Sequence, residues 1–246
     1  MKILMTTMSF DIGGAETHIL ELCRELSRRG HAITVVSRGG VFVKPLTDSG
    51  VRHVIAPLHK KDPASLCRSY RILDKLIRAE KFDVIHSHAR IPSLLTHMLA
   101  KKHDIPFVTT FHYTFDPVWY LKMLTRTGER TLAVSDDLKN YLIDVYGRDA
   151  DKIGVTVNGI DIDQFDGSAT DNPLPEMGEG DKIVCVTRMD RAVAHHAFRL
   201  TEAMPKIVAA HPNARLILIG GGDVLDELKA LAESRDDLLL CDEQNN

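Results

Sequence analysis

The sequence has few cysteines and no long apolar run. Its four cysteines, Cys23, Cys67, Cys185 and Cys241, lie far apart and have neither zinc-finger nor redox-motif spacing. In a chain of 246 residues this pattern favours reduced, buried thiols and a cytoplasmic protein. The first residues lack the apolar core and cleavage site of a secretory signal. No segment approaches the roughly 18–20 apolar residues that cross a bilayer, so a soluble or peripheral protein is expected.

The sequence also lacks an excess of either charge. It has 31 Lys and Arg against 34 Asp and Glu, a formal net charge of −3. This balance argues against a nucleic-acid partner bound through bulk positive charge. No G-x-G-x-x-G motif occurs at the first strand-to-helix turn, which disfavours a nicotinamide-dependent oxidoreductase. With 44% hydrophobic and 26% charged residues, the composition is that of a globular protein.

Short apolar segments alternate with longer helical patterns along the chain. Lys2–Met5 is the first strand candidate, and apolar residues at helical spacing follow it from Ala15 to Leu26. Such alternation predicts parallel sheets that are covered by helices on both faces. A segment rich in Gly, Pro, Asp and Asn interrupts the pattern. We therefore predict an N-terminal domain over residues 1–166, a linker over 167–181, and a shorter second domain over 182–246.

Two glycines follow the first predicted strand. Gly13 and Gly14 stand between this strand and the helix that opens with Ala15 and Glu16. Glycines at such a turn let an anion approach the backbone, and the free N–H groups of a helix N-terminus attract a phosphate. A glycine turn that is required by backbone conformation alone explains the same residues equally well.

Three histidines follow the ends of predicted strands. His86 and His88 close one strand and His112 follows another, so all three are expected at the sheet edge that holds Gly14. Histidine can carry a proton or donate a hydrogen bond near neutral pH. His86 and His88 are interpreted as poor joint metal ligands, and no metal site is expected. A hydrogen-bonded loop histidine is favoured for His86 and His88, whereas a pocket role for His112 is about equal to that alternative.

Two later turns also contain glycine. Asn158-Gly159 follows a strand, and pure turn chemistry is the favoured explanation because both residues tolerate a positive φ. Gly220-Gly221-Gly222-Asp223 follows another strand, where a phosphate cradle competes with a plain strand-to-helix turn. The plain turn is favoured, with Asp223 as the N-cap of the next helix.

One predicted helix, from about Ala64 to Lys81, carries a stripe of basic residues. They are spaced three or four positions apart, at Arg68, Arg71, Lys75 and Arg78. A basic amphipathic helix can rest on anionic lipid, but a solvated helix face is the commoner explanation and is favoured.

Five segments taken together resemble one known family. They are Gly13-Gly14-Ala15-Glu16, Asp83-Val84-Ile85-His86-Ser87-His88, Thr109-Thr110-Phe111-His112, Ala133-Val134-Ser135 and Val157-Asn158-Gly159-Ile160-Asp161. In this order they resemble the N-terminal domain of the retaining GT-B glycosyltransferases of family 4, the glycogen-synthase-like group. Residues 182–240 resemble the beginning of the second domain of that family.

The resemblance implies a GT-B-like α/β fold, in which a Rossmann-like parallel-sheet domain precedes a second, here incomplete, Rossmann-like domain. It implies transfer of a sugar from a nucleotide-sugar donor to an acceptor hydroxyl with retention, in glycolipid or cell-surface polysaccharide synthesis. The donor is a co-substrate, and no cofactor is implied. The acceptor is a glycan or a lipid-linked molecule, which raises the expectation of peripheral contact at the inner face of a membrane.

The same resemblance assigns roles to single residues. Gly13, Gly14 and Arg188 are expected at the donor diphosphate, because a guanidinium offers planar, bidentate donors to phosphate oxygens. Without the resemblance, a surface ion pair is the favoured explanation of Arg188. His112 is expected beside the transferring sugar as the catalytic residue. The candidates for the acceptor pocket are Glu16, His86, His88 and Asn158.

Two features depart from the family pattern. Val193 stands where the family has a lysine five residues after the arginine, and no two glutamates of this sequence are eight residues apart. The alternative is therefore a catalytically inactive or split module that binds a glycan or a nucleotide but lacks the donor half. From these departures we expect the 246-residue chain alone to be a weak transferase at best.

Overall fold

The structure is a computed structural model that describes residues 1–115, 118–162, 180–191 and 193–242. The chain forms two compact units, Met1–Phe165 and Asp166–Asn246. The predicted linker, 167–181, lies outside the described residues except for its last two positions. Each unit contains its own parallel sheet.

Seven parallel strands form the sheet of the first unit, in the spatial order β3-β2-β1-β4-β5-β6-β7. They are β1 (Lys2–Thr6), β2 (Ala32–Ser37), β3 (Arg52–Ile55), β4 (Val84–Ser87), β5 (Phe107–Phe111), β6 (Arg130–Ala133) and β7 (Ile153–Val155). The chain runs from β1 outward to β3, returns to the centre, and then runs outward from β4 to β7. This is a Rossmann-like order, in which the direction of winding changes between β1 and β4, and ligands bind beyond the carboxyl ends of the strands at that point.

Helices connect these strands. They are α1 (Gly14–Arg28), α2 (Val43–Asp48), α3 (Pro63–Glu80), α4 (Arg90–His103), α5 (Trp119–Leu124), α6 (Asp136–Asp144) and a 3-10 helix (Ala150–Lys152). Side-chain caps fix where two of the α-helices begin. The Oδ1 atom of Asp62 accepts a hydrogen bond from the Ser65 N–H at 2.9 Å, and Oγ of Ser135 accepts one from the Leu138 N–H at 3.2 Å. Each cap satisfies an N–H group that the helix itself leaves without a partner.

The central strand β1 is buried on both faces. Ile3 and Met5 pack in the same apolar cluster as Ile19 of α1, whereas Leu4 joins a cluster on the other face with Leu73 of α3. Because both faces are covered, the strand is apolar at successive positions rather than at alternate ones. Full burial of a side chain of this kind stabilises the fold by about 1.5–3 kcal/mol. This packing holds the start of α1 against the sheet edge.

The second unit has a three-stranded parallel sheet in the order β10-β9-β8. Its elements are β8 (Lys182–Val186), α7 (His195–Ala210), β9 (Arg215–Gly220), α8 (Leu225–Glu233) and β10 (Leu238–Asp242). Its core includes Met204 of α7, Leu216 of β9 and Leu228 of α8, which are fully buried. The expected restart of the strand–helix alternation is therefore present in this unit.

The glycine cluster at the end of β9 forms a turn, but Asp223 is not the N-cap of the helix α8 that follows. The N-cap of α8 is Val224, without a side-chain hydrogen bond, and Oδ1 of Asp223 accepts a hydrogen bond from the Arg191 N–H at 2.7 Å. Gly220 and Gly222 both have φ of 152°, and a Cβ on either would overlap the backbone of Thr187 or Met189. The prediction of an Asp223 cap is wrong because this side chain is used to hold the neighbouring loop.

The burial of the four cysteines agrees only in part with the prediction. All four are free thiols, but Cys67 on α3 is exposed and Cys185 is half-buried, so the expectation of four buried thiols is wrong for these two. Cys23 and Cys241 are buried. Burial raises the pKa of the Cys23 thiol to about 12, because the charged thiolate loses its hydration there.

Candidate functional site

The carboxyl ends of β1, β4 and β5 bring the sequence-predicted residues of the first unit together. The chain leaves β1 and turns at Gly13 into α1, while His88 follows β4 and His112 follows β5. The His88 N–H donates to the carbonyl oxygen of Thr6 at 2.9 Å, which ties the end of β4 to the end of β1. The predicted clustering at one sheet edge is thus seen for these residues.

The glycine turn leaves open space at the N-terminus of α1. Gly13 is the N-cap, with an extended φ of 175°, and its carbonyl accepts a hydrogen bond from the Thr17 N–H at 2.9 Å. A Cβ on Gly14 would meet nothing within 4 Å, whereas a Cβ on Gly13 would lie 2.5 Å from Oε2 of Glu16. Neither glycine needs a positive φ. Conformation alone therefore does not require Gly14, and the space beside it can accept an anion at the helix N-terminus.

Four histidine rings form a cluster behind this turn. Nε2 of His86 lies 2.7 Å from Oγ1 of Thr110, and Nδ1 of His88 lies 3.1 Å from Nε2 of His112. His18 of α1 completes the cluster, with its ring centroid 5.1 Å from that of His112 and 6.0 Å from that of His88. His86 and His88 are adjacent, at 4.1 Å between ring centroids.

Burial keeps these rings neutral at physiological pH. Loss of hydration, with a smaller contribution from neighbouring histidine rings, lowers the pKa of His86 to about 3 and that of His112 to about 4. The pKa of His88 is lowered well below its usual value for the same reason. Burial also lowers the pKa of His18, against a smaller raising effect of a hydrogen bond with the Asn158 side chain. Each ring therefore offers one N–H donor and one lone pair.

A pocket of 810 Å³ opens in front of the cluster. His88 and His112 form part of its wall, together with Ala15 and Glu16 from the first turn of α1. Three cationic side chains also line it: Lys61, Arg90 and Arg126. Pockets of this size, with a few converging polar groups, are typical of small-molecule sites.

Arg90, at the start of α4, has unusual surroundings for a cation. Its guanidinium lies over the ring of Phe115, with 4.1 Å between the guanidinium carbon and the ring centroid. Its Nε and Nη2 atoms are buried and have no hydrogen-bond partner among the described residues. A buried donor without a partner is costly, so this side of the pocket favours an anionic or strongly accepting ligand group.

The remaining predicted residues lie at different distances from the pocket. Glu16 lines it, whereas His86 is 8% exposed and lies in β4 behind His88. The exposed Asn158 does not line the pocket, and its side chain forms a hydrogen bond with His18 of the histidine cluster. Arg188 belongs to the second unit, where its 58% exposed side chain forms a loose ion pair with Asp190 at 3.5 Å. Its assignment to the donor diphosphate stays a prediction.

Reasoning from the sequence missed His18 and Arg90. His18 lies 70 residues from His88 along the chain, and only the folded sheet brings α1 beside β4 and β5. The sequence could have indicated His18 by its position one helical turn after Gly14, because α1 begins at the sheet edge where a ligand was predicted. Arg90 directly follows the His86-Ser87-His88 segment and so continues into the same edge.

The basic stripe on α3 is exposed at all four positions, Arg68, Arg71, Lys75 and Arg78. Arg78 pairs with Asp74 at 2.9 Å, and the other three have no ion pair within the described parts of the chain. Among the described helices, none is both long enough and apolar enough to span a bilayer.

The sequence of this first unit matches a family model. The model of Glycosyltransferase Family 4 matches residues 12–164, which include the glycine turn, the histidine cluster and Asn158. The chain belongs to Glycosyltransferase Family 4. The resemblance inferred from the five short segments is thereby confirmed.

Named relatives of this family 4 chain include two phosphatidyl-myo-inositol mannosyltransferases and a D-inositol 3-phosphate glycosyltransferase. A phosphatidyl-myo-inositol mannosyltransferase of Mycolicibacterium smegmatis is 30% identical over 241 residues, covering 91% of this chain and 59% of the relative. The Mycobacterium tuberculosis H37Rv protein of the same name is 29% identical, covering 91% of this chain and 61% of the relative. A D-inositol 3-phosphate glycosyltransferase of Frankia alni is 26% identical, covering 94% and 66%. The chain thus spans about three fifths of the length of the mannosyltransferases.

Solved structures share the fold. A glycosyltransferase from Rickettsia africae superposes with a TM-score of 0.78 at 22% identity, covering 99% of this chain and 68% of the other. HepE of Anabaena, solved with UDP, has a TM-score of 0.76 at 16% identity, covering 99% and 70%. At these identities the likeness establishes the GT-B-type α/β fold of the family 4 chain and nothing about its substrates.

Proposed function

We propose that the protein takes part in the transfer of a sugar from a nucleotide-sugar donor to an acceptor hydroxyl, with retention of configuration. One observation carries the proposal: in a family 4 chain, the first turn of α1 and His112 border the same 810 Å³ pocket. The relatives named as mannosyl- and glycosyltransferases support the same class of reaction. The donor is a co-substrate, and the proposed reaction uses no cofactor.

The geometry supports separate roles for the start of α1 and for His112 at this pocket. The N–H groups and partial positive charge at the start of α1 suit a departing diphosphate, and the space beside Gly14 admits it. His112 is neutral at pH 7 because its pKa is lowered to about 4. It therefore acts on the transferring sugar as a neutral hydrogen-bonding group and not as a cation.

A donor survey tests the proposed activity. The purified chain is incubated with nucleotide sugars that differ in base and sugar, and release of nucleoside diphosphate is measured with and without candidate acceptors. We expect release from one donor class that rises when an acceptor is added. Tight binding of a nucleoside diphosphate without any release would support the alternative, a glycan- or nucleotide-binding module.

We further propose that the acceptor carries an anionic group, such as a phosphate. The buried, unpartnered donors of Arg90 support this, as do the other two cations of the pocket wall, Lys61 and Arg126. The names of all three relatives given above contain a phosphate-bearing inositol. A lipid-linked acceptor of this kind would also place the exposed α3 stripe at the cytoplasmic face of a membrane.

The Arg90→Gln variant separates acceptor binding from donor binding. Loss of the charged donors should raise the KM for a phosphate-bearing acceptor by roughly tenfold or more and leave the KM for the donor unchanged. Arg130→Gln, which removes an exposed cation of β6 outside the pocket, is the matched control. Equal acceptor KM values for wild type and Arg90→Gln would contradict the proposal.

A further inference from the structure

Three of the clustered histidines can bind one ion. His18, His88 and His112 each present a ring nitrogen, and the three nitrogens lie within 4.8 Å of one another. His88 is 6% exposed, whereas His18 and His112 are half-buried, and His112 borders the open pocket. An ion therefore has a path to the cluster through the pocket. The expectation of no metal site treated His86 and His88 as poor joint ligands and did not include a ligand from α1.

A metal ion would bind the two facing nitrogens, Nδ1 of His88 and Nε2 of His112, which now share one proton in a hydrogen bond. Two neutral imidazoles that share one hydrogen bond retain one unused lone pair and one unused N–H. Accordingly, Nε2 of His88 and Nδ1 of His112 are buried and have no partner among the described residues. The hydrogen bond between His18 and the Asn158 side chain can hold one nitrogen of the His18 ring as a donor, which leaves the other as a ligand.

The spacing suits a tetrahedral ion. A zinc–nitrogen bond of about 2.0–2.1 Å separates neighbouring ligand nitrogens by about 3.3 Å in a tetrahedral site. Nδ1 of His88 and Nε2 of His112 are already 3.1 Å apart. Rotation of the half-buried His18 ring closes the remaining gap. Binding exchanges the ring-to-ring hydrogen bond for two metal–nitrogen bonds, and the proton of that hydrogen bond moves to the unused lone pair on the outer nitrogen of the same ring, so both rings stay neutral.

We propose that His18, His88 and His112 form a binding site for a borderline transition-metal ion of the Zn²⁺ type, with its fourth coordination position open to the pocket. Three neutral imidazoles favour Zn²⁺, Co²⁺, Ni²⁺ or Cu²⁺ over Mg²⁺ and Ca²⁺, which prefer oxygen ligands. Metal binding at these three histidines does not require the proposed transfer reaction to take place. If that reaction uses the pocket, a bound ion that occupies His112 inhibits it.

Calorimetric titration with Zn²⁺ and absorption spectroscopy with Co²⁺ test the site on the untagged 246-residue chain. We expect one Zn²⁺ per chain and visible Co²⁺ bands typical of a four-coordinate site. His18→Gln and His112→Gln should each weaken binding by roughly tenfold or more. Circular dichroism and thermal unfolding of both variants verify that they are folded, and Zn²⁺ should raise the unfolding midpoint of the wild type more than that of either variant.

A matched control comes from the other close histidine pair. His195 and His196 are exposed neighbours on α7, with 3.9 Å between ring centroids, and can hold metal adventitiously. The double variant His195→Gln/His196→Gln should bind Zn²⁺ as the wild type does. Absence of one-to-one binding by the wild type, equal binding by the His18 variant, or loss of binding in the α7 control would overturn the proposal.

Discussion

At the residue scale, Gly14 separates two explanations that the sequence left equal. Its φ is not positive, and a Cβ there would meet no atom within 4 Å. The backbone therefore does not require glycine at this position. A side chain at position 14 would occupy the open space at the start of α1, where a phosphate can approach the N–H groups.

Gly14→Ala should accordingly weaken binding of a nucleoside diphosphate while leaving the fold intact. The thermal unfolding midpoint should stay unchanged or rise slightly, because replacing glycine at an unstrained position stabilises by about 0.4–1 kcal/mol. Calorimetric titration measures the binding. Gly154→Ala on the edge strand β7, where a Cβ makes an ordinary contact with Leu132, is the control and should bind like wild type. Undiminished binding by Gly14→Ala would make Gly14 a plain turn residue.

The buried histidines give the protein a definite pH dependence of stability. The pKa of His86 is about 3 in the native chain, against an ordinary value of 6.5. Between these values the unfolded chain binds more protons than the native chain, so the free energy of unfolding falls as the pH falls below about 6.5. The contribution of one such ring is at most about 1.4 kcal/mol for each pH unit.

Urea unfolding at pH 7.5 and pH 5 measures this dependence. We expect the wild type to lose stability on acidification, and His86→Gln to lose less because one titrating ring is absent. His196→Gln, which removes an exposed ring of α7, should behave like the wild type. A wild-type protein that is equally stable at both pH values would show that the cluster is not buried as the structure has it.

At this scale the sequence predicted part of the arrangement of the candidate site. It identified His88 and His112 and placed both at one sheet edge, as the structure does. It could not identify His18, because no local pattern relates a helix residue to strands that lie 70 and 94 positions later. Asn158 was treated mainly as a turn residue, and its contact with His18 depends on the same long-range assembly.

At the scale of single elements, apolar periodicity predicted α1 and α3 closely. Both helices have one buried face, which produces the 3.6-residue pattern. The helix α4 was not predicted. Five apolar or small residues of α4 are buried along with polar Thr96, so its sequence carries a weaker amphipathic pattern. The wrong cap at Asp223 has a similar cause, since its partner is a backbone N–H of a different loop.

The exposed stripe on α3 makes a prediction about membranes. If it contacts anionic lipid, each of its four cations contributes up to about 1 kcal/mol near a charged surface, and salt weakens the association. Co-sedimentation with vesicles that contain phosphatidylserine should be lost when Arg68, Arg71, Lys75 and Arg78 are all changed to Gln. Vesicles made only of a zwitterionic lipid should bind neither protein.

A charge-matched control is available for this experiment. Four exposed lysines from separate elements, Lys44, Lys152, Lys182 and Lys206, are changed to Gln, which removes the same total charge without touching α3. This variant should sediment with anionic vesicles nearly as well as wild type. Equal binding by wild type and the α3 variant would leave the stripe as a solvated helix face.

At the scale of the whole molecule, the alternation of strands and helices was sufficient to predict the fold class. Every strand pairing in the two described sheets is parallel. The strand order was not predictable from alternation alone, because the return of the chain from β3 to the centre at β4 depends on which strand pairs with β1. That return reverses the direction of winding between β1 and β4, and folds of this type bind ligands beyond the carboxyl ends of the strands at such a point.

The central claim is that the pocket beside His112 is where a sugar is transferred. The most direct test compares wild type with His112→Gln in the rate of donor-dependent transfer to an acceptor, with NMR spectroscopy of the anomeric proton of the product. The wild type should form a product with the anomeric configuration of the donor, and His112→Gln should lower the rate by about 100-fold, the loss typical when one hydrogen-bonding group at a transition state is removed. Equal rates for the two proteins would contradict the claim.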